Sequence, residues 1–64
     1  MQRRVKVQGR AYWITVHEYA DTVRAKPVWY AVSKYRDEEI FVGGRTEREA
    51  VQRWIATAEA RSAG

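Results

Sequence analysis

The segment that decides the fold is Tyr12-Trp13-Ile14-Thr15-Val16-His17-Glu18-Tyr19, a run of strong β-strand formers. Successive side chains of a strand point to opposite faces of its sheet. Alternation sends one set, Tyr12, Ile14, Val16 and Glu18, to one face and the other set, Trp13, Thr15, His17 and Tyr19, to the opposite face. Because the first set is mainly aliphatic, we expect the chain itself to cover that face.

Two more strands are predicted downstream, at residues 28–35 and 39–43. Alternation places Val28, Tyr30 and Val32 on the covered face, with Tyr12 and Tyr30 at its margins, and places Trp29, Ala31, Ser33 and Tyr35 on the opposite face. In the last strand Ile40 and Val42 point toward the cover and Phe41 points away. Residues 20–27 are predicted to form a loop, since Pro27 lacks the amide donor of a central strand. Residues 36–38 are predicted to form a tight turn.

A helix start follows the last strand. The sequence Thr46-Glu47-Arg48-Glu49 is typical of a capping box, in which the threonine hydroxyl accepts a hydrogen bond from the backbone of the third following residue. The apolar residues after it recur at helical spacing: Ala50, Val51, Trp54, Ile55 and Ala58. We expect this helix to lie on the aliphatic face and to end near Arg61. The preceding pair Gly43-Gly44 predicts a backbone position with positive φ.

The fold class predicted is α+β, a single domain over residues 1–64 with a three-stranded antiparallel sheet packed on one face by a C-terminal helix. Residues 1–9 form either a short edge strand or an arm, and the sequence leaves both open. One helix covers only one face of a sheet. The opposite face, with Trp13, Trp29, Tyr35 and Phe41, must then meet water or a partner, and exposed apolar patches usually mark interaction sites.

The composition excludes several kinds of site. The chain has no cysteine and one histidine, so disulfides and thiolate metal sites are ruled out and no cofactor or metal is expected. His17 and Glu18 point to opposite faces of one strand, which leaves no catalytic set, and we expect no enzyme activity. No apolar run has the length of a membrane span and no signal-peptide pattern is seen. A cytoplasmic protein without a membrane partner is therefore expected.

Positive charge is concentrated in the first half of the chain. Residues 1–34 hold seven Lys or Arg against two acids, a net charge of +5, whereas residues 35–64 hold five against six, a net charge of −1. A basic segment favours a polyanionic partner, because phosphate contacts supply most non-specific nucleic-acid affinity. Ordinary solubility is the alternative explanation for this charge.

The segment from Trp29-Tyr30-Ala31 to Thr46, Glu49 and Ala50 resembles the arm-type DNA-binding domain at the N-terminus of phage and transposon tyrosine integrases. It is also similar to the plant GCC-box-binding domain. These resemblances imply a sheet laid into the DNA major groove, with the helix behind it. They place strand residues at bases and basic residues near phosphates. The positions carried over are Trp29, Ser33, Tyr35 and Phe41 at bases, and Lys34, Arg36 and Arg45 near phosphates.

Gly44, Thr46, Glu49 and Ala50 are also similar to the turn into the helix of HicB-like antitoxins. That resemblance implies a partner toxin and a dimer. The helix start is similar as well to that of double-stranded-RNA-binding domains, but the phosphate-clamping lysines of that motif are replaced by Glu47 and Arg48, which disfavours RNA.

Two functions therefore stay open. The first is a module that binds double-stranded DNA. The second is a protein-interaction module, either antitoxin-like or a small phage inhibitor of a host protein, with a homodimer as its simplest form, because Trp and Tyr concentrate at interface hot spots. The residues predicted to contact DNA or a protein partner are Arg3, Arg4, Arg10, Trp13, Trp29, Ser33, Lys34, Tyr35, Arg36, Phe41 and Arg45.

Overall fold

A four-stranded antiparallel sheet carries one C-terminal helix on one face. The computed structural model describes residues 1–21 and 26–63, and the side chains of residues 1–19 and 28–63. The elements are β1 (Gln2–Val7), β2 (Arg10–Asp21), β3 (Lys26–Tyr35), β4 (Glu38–Gly44) and α1 (Glu47–Ala63), and the strand order is β1-β2-β3-β4. The α+β class and the helix-covered antiparallel sheet are confirmed.

The sheet has four strands where three were predicted. Residues Gln2–Val7 form an edge strand on β2, with Arg4 opposite Trp13, so the alternative of an arm is wrong. Val5 and Val7 are both buried, and this apolar burial holds the strand down. The connecting turn, Gln8 and Gly9, has positive φ at both residues (53° and 79°), as in the two-residue turns whose twist matches a hairpin.

The ladder between β2 and β3 extends into the predicted loop. Ala20 pairs with Pro27 and Asp21 pairs with Lys26, and the rest of the predicted loop, residues 22–25, lies outside the described residues. The two outer strands, β1 and β4, do not extend this far, and β1 pairs with β2 only up to Thr15. On the other side, β4 begins its pairing at Trp29 of β3. This end of the hairpin is therefore a two-stranded projection. Pro27 is tolerated there because β4 does not reach it, so its missing amide leaves no bond to β4 unmade.

The predicted faces of β3 are exchanged. Ala31 is fully buried, Tyr35 is 2% exposed and Trp29 packs against the core, so these residues and Ser33 face the helix. Val28, Tyr30 and Val32 consequently lie on the opposite face. The physical reason is the shape of the helix, whose largest buried side chain is Trp54. Ala31 belongs to the same buried cluster as that indole and occupies less of the core than a valine or tyrosine would.

The core lies between the sheet and three helical positions one turn apart. Ala50, Trp54 and Ala58 are fully buried, and the rings of Tyr12 and Tyr35 lie 6.4 Å and 6.2 Å from the Trp54 ring. The buried cluster is completed by strand residues: Val5, Val7, Ile14, Val16, Ala31 and Ile40. The Trp54 indole Nε1 has no hydrogen-bond partner among the described residues, so this side chain stabilises the fold through packing.

Of the two hydrogen bonds of the predicted capping box, the one accepted by the Thr46 hydroxyl is formed. The Glu49 amide donates to Thr46 Oγ1 at 3.0 Å, and the Ala50 amide donates to the Thr46 carbonyl at 3.1 Å. The Glu49 carboxylate instead pairs with Arg53 at 2.9 Å, and Arg53 also donates to the Gly43 carbonyl at 2.7 Å. The helix continues to Ala63, where the Ser62 hydroxyl contacts the Tyr35 hydroxyl.

Candidate nucleic-acid interface

The face of the sheet opposite the helix, here called the open face, presents a continuous set of side chains from all four strands. Cross-strand pairs lie directly beside one another, and the register fixes which residues share this face. Its described members are Gln2, Arg4 and Lys6 of β1, Ala11, Trp13, Thr15, His17 and Tyr19 of β2, Val28, Tyr30, Val32 and Lys34 of β3, and Glu39, Phe41 and Gly43 of β4.

Three aromatic rings run diagonally across β4, β3 and β2 on this face. Phe41 and Tyr30 are stacked, with centroids 5.1 Å apart and planes 26° apart, and Tyr30 meets Tyr19 edge-on at 6.5 Å. Phe41 is 62% exposed and Tyr19 is 63% exposed. Tyr30 lies over Gly43, where an added Cβ would be 3.3 Å from the ring. Because Gly43 has no side chain, the Tyr30 ring can lie directly over its backbone.

Trp13 stands apart from this diagonal, beside a basic edge. It is 61% exposed, and its cross-strand neighbour is Arg4. The Ser33 hydroxyl donates to the Trp13 carbonyl at 3.1 Å, which ties β2 to β3 beyond the last paired residues, Thr15 and Val32. An indole this exposed contributes little to the core, and its large apolar area is available to a partner.

The charges of the two faces differ. Arg4, Lys6 and Lys34 lie on the open face, where Glu39, next to Lys34, is the one described acid. Among the described residues the ion pairs lie on the helix side, where three acids are paired: Glu47 with Arg3 at 3.2 Å, Glu49 with Arg53 at 2.9 Å and Glu38 with Arg61 at 3.0 Å. The described open-face residues thus carry three cations and one acid, a net charge of +2.

The structure brings together only some of the residues predicted for binding. Trp13 and Phe41 lie on the open face as predicted, and Arg4 and Lys34, for which no face was predicted, lie there too. Trp29, Ser33 and Tyr35 lie on the helix side, so their predicted exposure on the outer face is wrong. Arg3 also lies on the helix side, paired with Glu47, and Arg45 is exposed at the bend before the helix.

Arg10 and Arg36 both line a cleft at the turn end of the sheet, away from the open face. Beyond Thr15 and Val32 the two central strands stop pairing, and the rings of Tyr12 and Tyr35 contact edge-on at 5.2 Å. The Arg36 guanidinium lies 5.5 Å from the Tyr35 ring centroid. The cleft has a volume of about 340 Å³ and is lined by Val7, Gln8, Arg10, Tyr12, Tyr35 and Arg36.

The predicted binding set lacked one lysine and two tyrosines of the open face, Lys6, Tyr19 and Tyr30. Lys6 was discoverable from its alternation with Val5 and Val7. Tyr30 was discoverable from its neighbour Ala31, the smallest side chain of the strand, which marks the face where the helix comes closest.

No family model, no curated protein and no solved structure matches this chain. The resemblances to integrase arm domains and to HicB-like antitoxins therefore stay predictions. The described residues include no group of three or more His, Asp or Glu side chains placed to hold a metal ion. They also include no helix with the length and apolar character needed to cross a membrane.

Proposed function

We propose that this protein is a non-enzymatic nucleic-acid-binding module that binds through the open face of its sheet. The observation that carries the proposal is the combination of three rings more than 60% exposed, Trp13, Tyr19 and Phe41, with basic side chains on the same face. Nucleic acid offers the complement of both, because it carries phosphates for the cations and aromatic bases for the rings. The resemblance to integrase arm domains implies double-stranded DNA as the ligand.

The expected source of affinity is the release of counterions from phosphates. Arg4 is the cross-strand neighbour of Trp13, Lys6 continues the basic row along β1, and Lys34 lies on the same face of β3. Each phosphate that a cation neutralises makes the plot of log affinity against log salt steeper by about 0.9 on duplex DNA and about 0.7 on single strands. Two or three such contacts produce a modest affinity that falls steeply as salt is raised.

The test is a fluorescence-anisotropy titration of labelled nucleic acid at several salt concentrations. We expect Arg4→Ala and Lys34→Ala each to reduce the salt slope by about 0.7 to 0.9. Arg48→Ala is the matched control, because it removes the same charge from an exposed position on the helix. Binding that ignores salt, or an equal loss with Arg48→Ala, would contradict the proposal.

A protein partner is the second candidate, and the exposed rings favour it as well. Trp and Tyr dominate the energetic centres of protein interfaces, and the open face exposes both residue types. Self-association through this face is the simplest case, and an antitoxin-like dimer is of that kind. Sedimentation velocity at two protein concentrations, without nucleic acid, detects it. A concentration-dependent dimer that excludes nucleic acid would favour this function over the first.

A further inference from the structure

We infer that the open face binds single-stranded DNA, with unpaired bases stacked on Trp13, Tyr19 and Phe41. This inference rests on the proposed nucleic-acid-binding function and narrows its ligand. It differs from the duplex that the family resemblance implies, and the difference comes from the width of the sheet, the chemistry of the face and the placement of the rings.

The width of the sheet disfavours the major groove. Four strands at about 4.8 Å spacing place the outer strand axes roughly 14 Å apart before side chains are added. The major groove of B-DNA is about 12 Å wide and accepts a helix or a two-stranded ribbon. The projecting end of the β2–β3 hairpin is narrow enough. However, a duplex seated on this projection alone would leave Trp13 and Arg4, toward the other end of β2, without contact.

The chemistry of the face also fits unpaired bases better than a duplex. A duplex offers base edges in its grooves, and these are recognised by side chains that donate and accept hydrogen bonds, such as Arg, Asn and Gln. The faces of its bases are covered by their neighbours in the stack. The open face instead exposes flat rings, and a flat ring gains most from the face of a base that no neighbour covers.

The rings are spaced along the face so that a strand can cross from one to the next. Trp13 and Tyr19 lie at opposite ends of β2, six residues apart, which corresponds to roughly 20 Å. Phe41 lies on β4, stacked on Tyr30 in the middle of the face. A platform of this length matches sites of about four or more nucleotides, as in known single-strand-binding domains. Arg4, the cross-strand neighbour of Trp13, lies where the backbone of a strand stacked on this indole would pass.

The floor between the rings favours DNA over RNA. Between Tyr19 and Phe41 it is formed by Val28 and Val32, which lie on either side of Tyr30, are partly exposed and offer no hydrogen-bond partner. A deoxyribose that packs there buries only carbon on its 2′ side, whereas a ribose would lose water from its 2′-hydroxyl without compensation. We therefore assign the site to the deoxyribose polymer.

The experiment compares four probes of about 12 nucleotides, a length within the range of such sites. They are homothymidylate, the same strand without bases, the dA·dT duplex and homouridylate. We expect the homothymidylate to bind at least about tenfold tighter than the abasic strand and the duplex, since stacking on an aromatic ring contributes about 5- to 150-fold per base. Homouridylate is expected to bind more weakly than homothymidylate.

The rings are tested separately from the charges. Trp13→Ala and Tyr19→Ala should each weaken homothymidylate binding about tenfold and leave the abasic strand unaffected. Trp13→Phe and Tyr19→Phe keep a ring and should retain most of the affinity. Binding should also quench tryptophan fluorescence in the wild type and lose that signal in Trp13→Phe, because Trp54 is buried and Trp29 packs on the core. Urea unfolding of each variant confirms that the fold is intact.

The outcomes separate the two claims. Duplex binding that is tighter than homothymidylate binding and depends on Arg4 and Lys34 would overturn the single-strand inference and leave the proposed function standing. Equal affinity for the abasic strand would overturn stacking in the same way. Homouridylate binding as tight as homothymidylate binding would overturn the assignment to DNA. Absence of binding to all four probes at low salt would overturn both the inference and the proposed function.

Discussion

Gly44 sets how closely the end of β4 approaches the helix. A Cβ at this position would lie 2.8 Å from the Ala50 backbone nitrogen and 3.0 Å from the Glu49 Cβ and Cγ. Neither Gly43 nor Gly44 has a positive φ, so the prediction that one of them needs a left-handed backbone is wrong. Both positions need a residue without a side chain, because Gly44 lies against the start of the helix and Gly43 lies against the Tyr30 ring.

We expect Gly44→Ala to lower the free energy of unfolding by about 1–3 kcal/mol, because overpacking against a backbone cannot be relieved by a side-chain rotation. Gly43→Ala is the matched control, since its Cβ would meet the Tyr30 ring, which can shift. Urea unfolding followed by circular dichroism measures both changes. Equal losses in the two variants would show that the approach of the helix does not depend on Gly44.

The three tryptophans should respond differently to truncation. We expect Trp54→Ala to cost about 3–5 kcal/mol, which unfolds a domain of this size, and Trp29→Ala to cost less but a measurable amount. Trp13→Ala should change stability by no more than about 0.5 kcal/mol, because its indole is 61% exposed. Thermal and urea unfolding provide the measurement. A Trp29→Ala variant as stable as Trp13→Ala would restore the original assignment of the β3 faces.

At the scale of elements, two hairpin turns lie at the same end of the sheet and solve the same backbone problem with different residues. Both are two-residue turns with positive φ at both positions, Gln8-Gly9 before β2 and Arg36-Asp37 before β4. Such turns match the right-handed twist of the strands and favour Asn-Gly or Asp-Gly. The first turn has glycine at its second position, whereas the second turn places two side chains in the left-handed region (φ 53° and 66°).

We expect Asp37→Gly to stabilise the fold by about 0.5–1 kcal/mol, because it removes the left-handed cost of a residue with a Cβ. The reciprocal change, Gly9→Ala, should destabilise it by about 1 kcal/mol. The space around the new Cβ is empty within 4 Å, so this cost comes from the backbone alone. Urea midpoints of both variants test the pair, and a shift of the same sign in both would contradict the argument.

The elements themselves were largely predictable, and the faces of one strand were not. The helix start followed from Thr46 and Glu49, and the faces of β2 followed from Ile14 and Val16, because local patterns carry this information. In β3 both faces contain large apolar side chains, so alternation alone does not tell which set is covered. The packing of the helix determines which face of β3 is covered, because Trp54 fills much of the core and the face with the small Ala31 leaves more room for it.

At the scale of the whole molecule, the two free edges of the sheet carry opposite charges. The β1 edge holds Arg3, Arg4 and Lys6, and the β4 edge holds Glu38 and Glu39. A symmetric dimer through either edge would bring like charges together, which is a common way in which proteins prevent edge pairing. The exposed rings of the open face, Trp13, Tyr19 and Phe41, are then the remaining apolar contact for self-association.

We expect no dimer through paired edges. Any dimer found by sedimentation velocity should disappear in the double variant with Trp13→Ala and Phe41→Ala, because both rings lie on the open face. Arg48→Ala provides a control on the helix. A dimer that persists in the double variant and strengthens as salt is raised would instead indicate pairing through an edge, where salt screens the like charges.

The sequence by itself determined the element types, the capped helix, the antiparallel connectivity and the excess of aromatic side chains over what one helix can cover. Those properties follow from alternation, helical spacing and turn chemistry, which act over a few neighbouring residues. Only the tertiary structure decided that residues 2–7 pair as a fourth strand and that Tyr30, not Trp29, joins Trp13 on the open face. These outcomes depend on how a large indole from α1 fits against a strand distant in sequence, and no local pattern contains that fit.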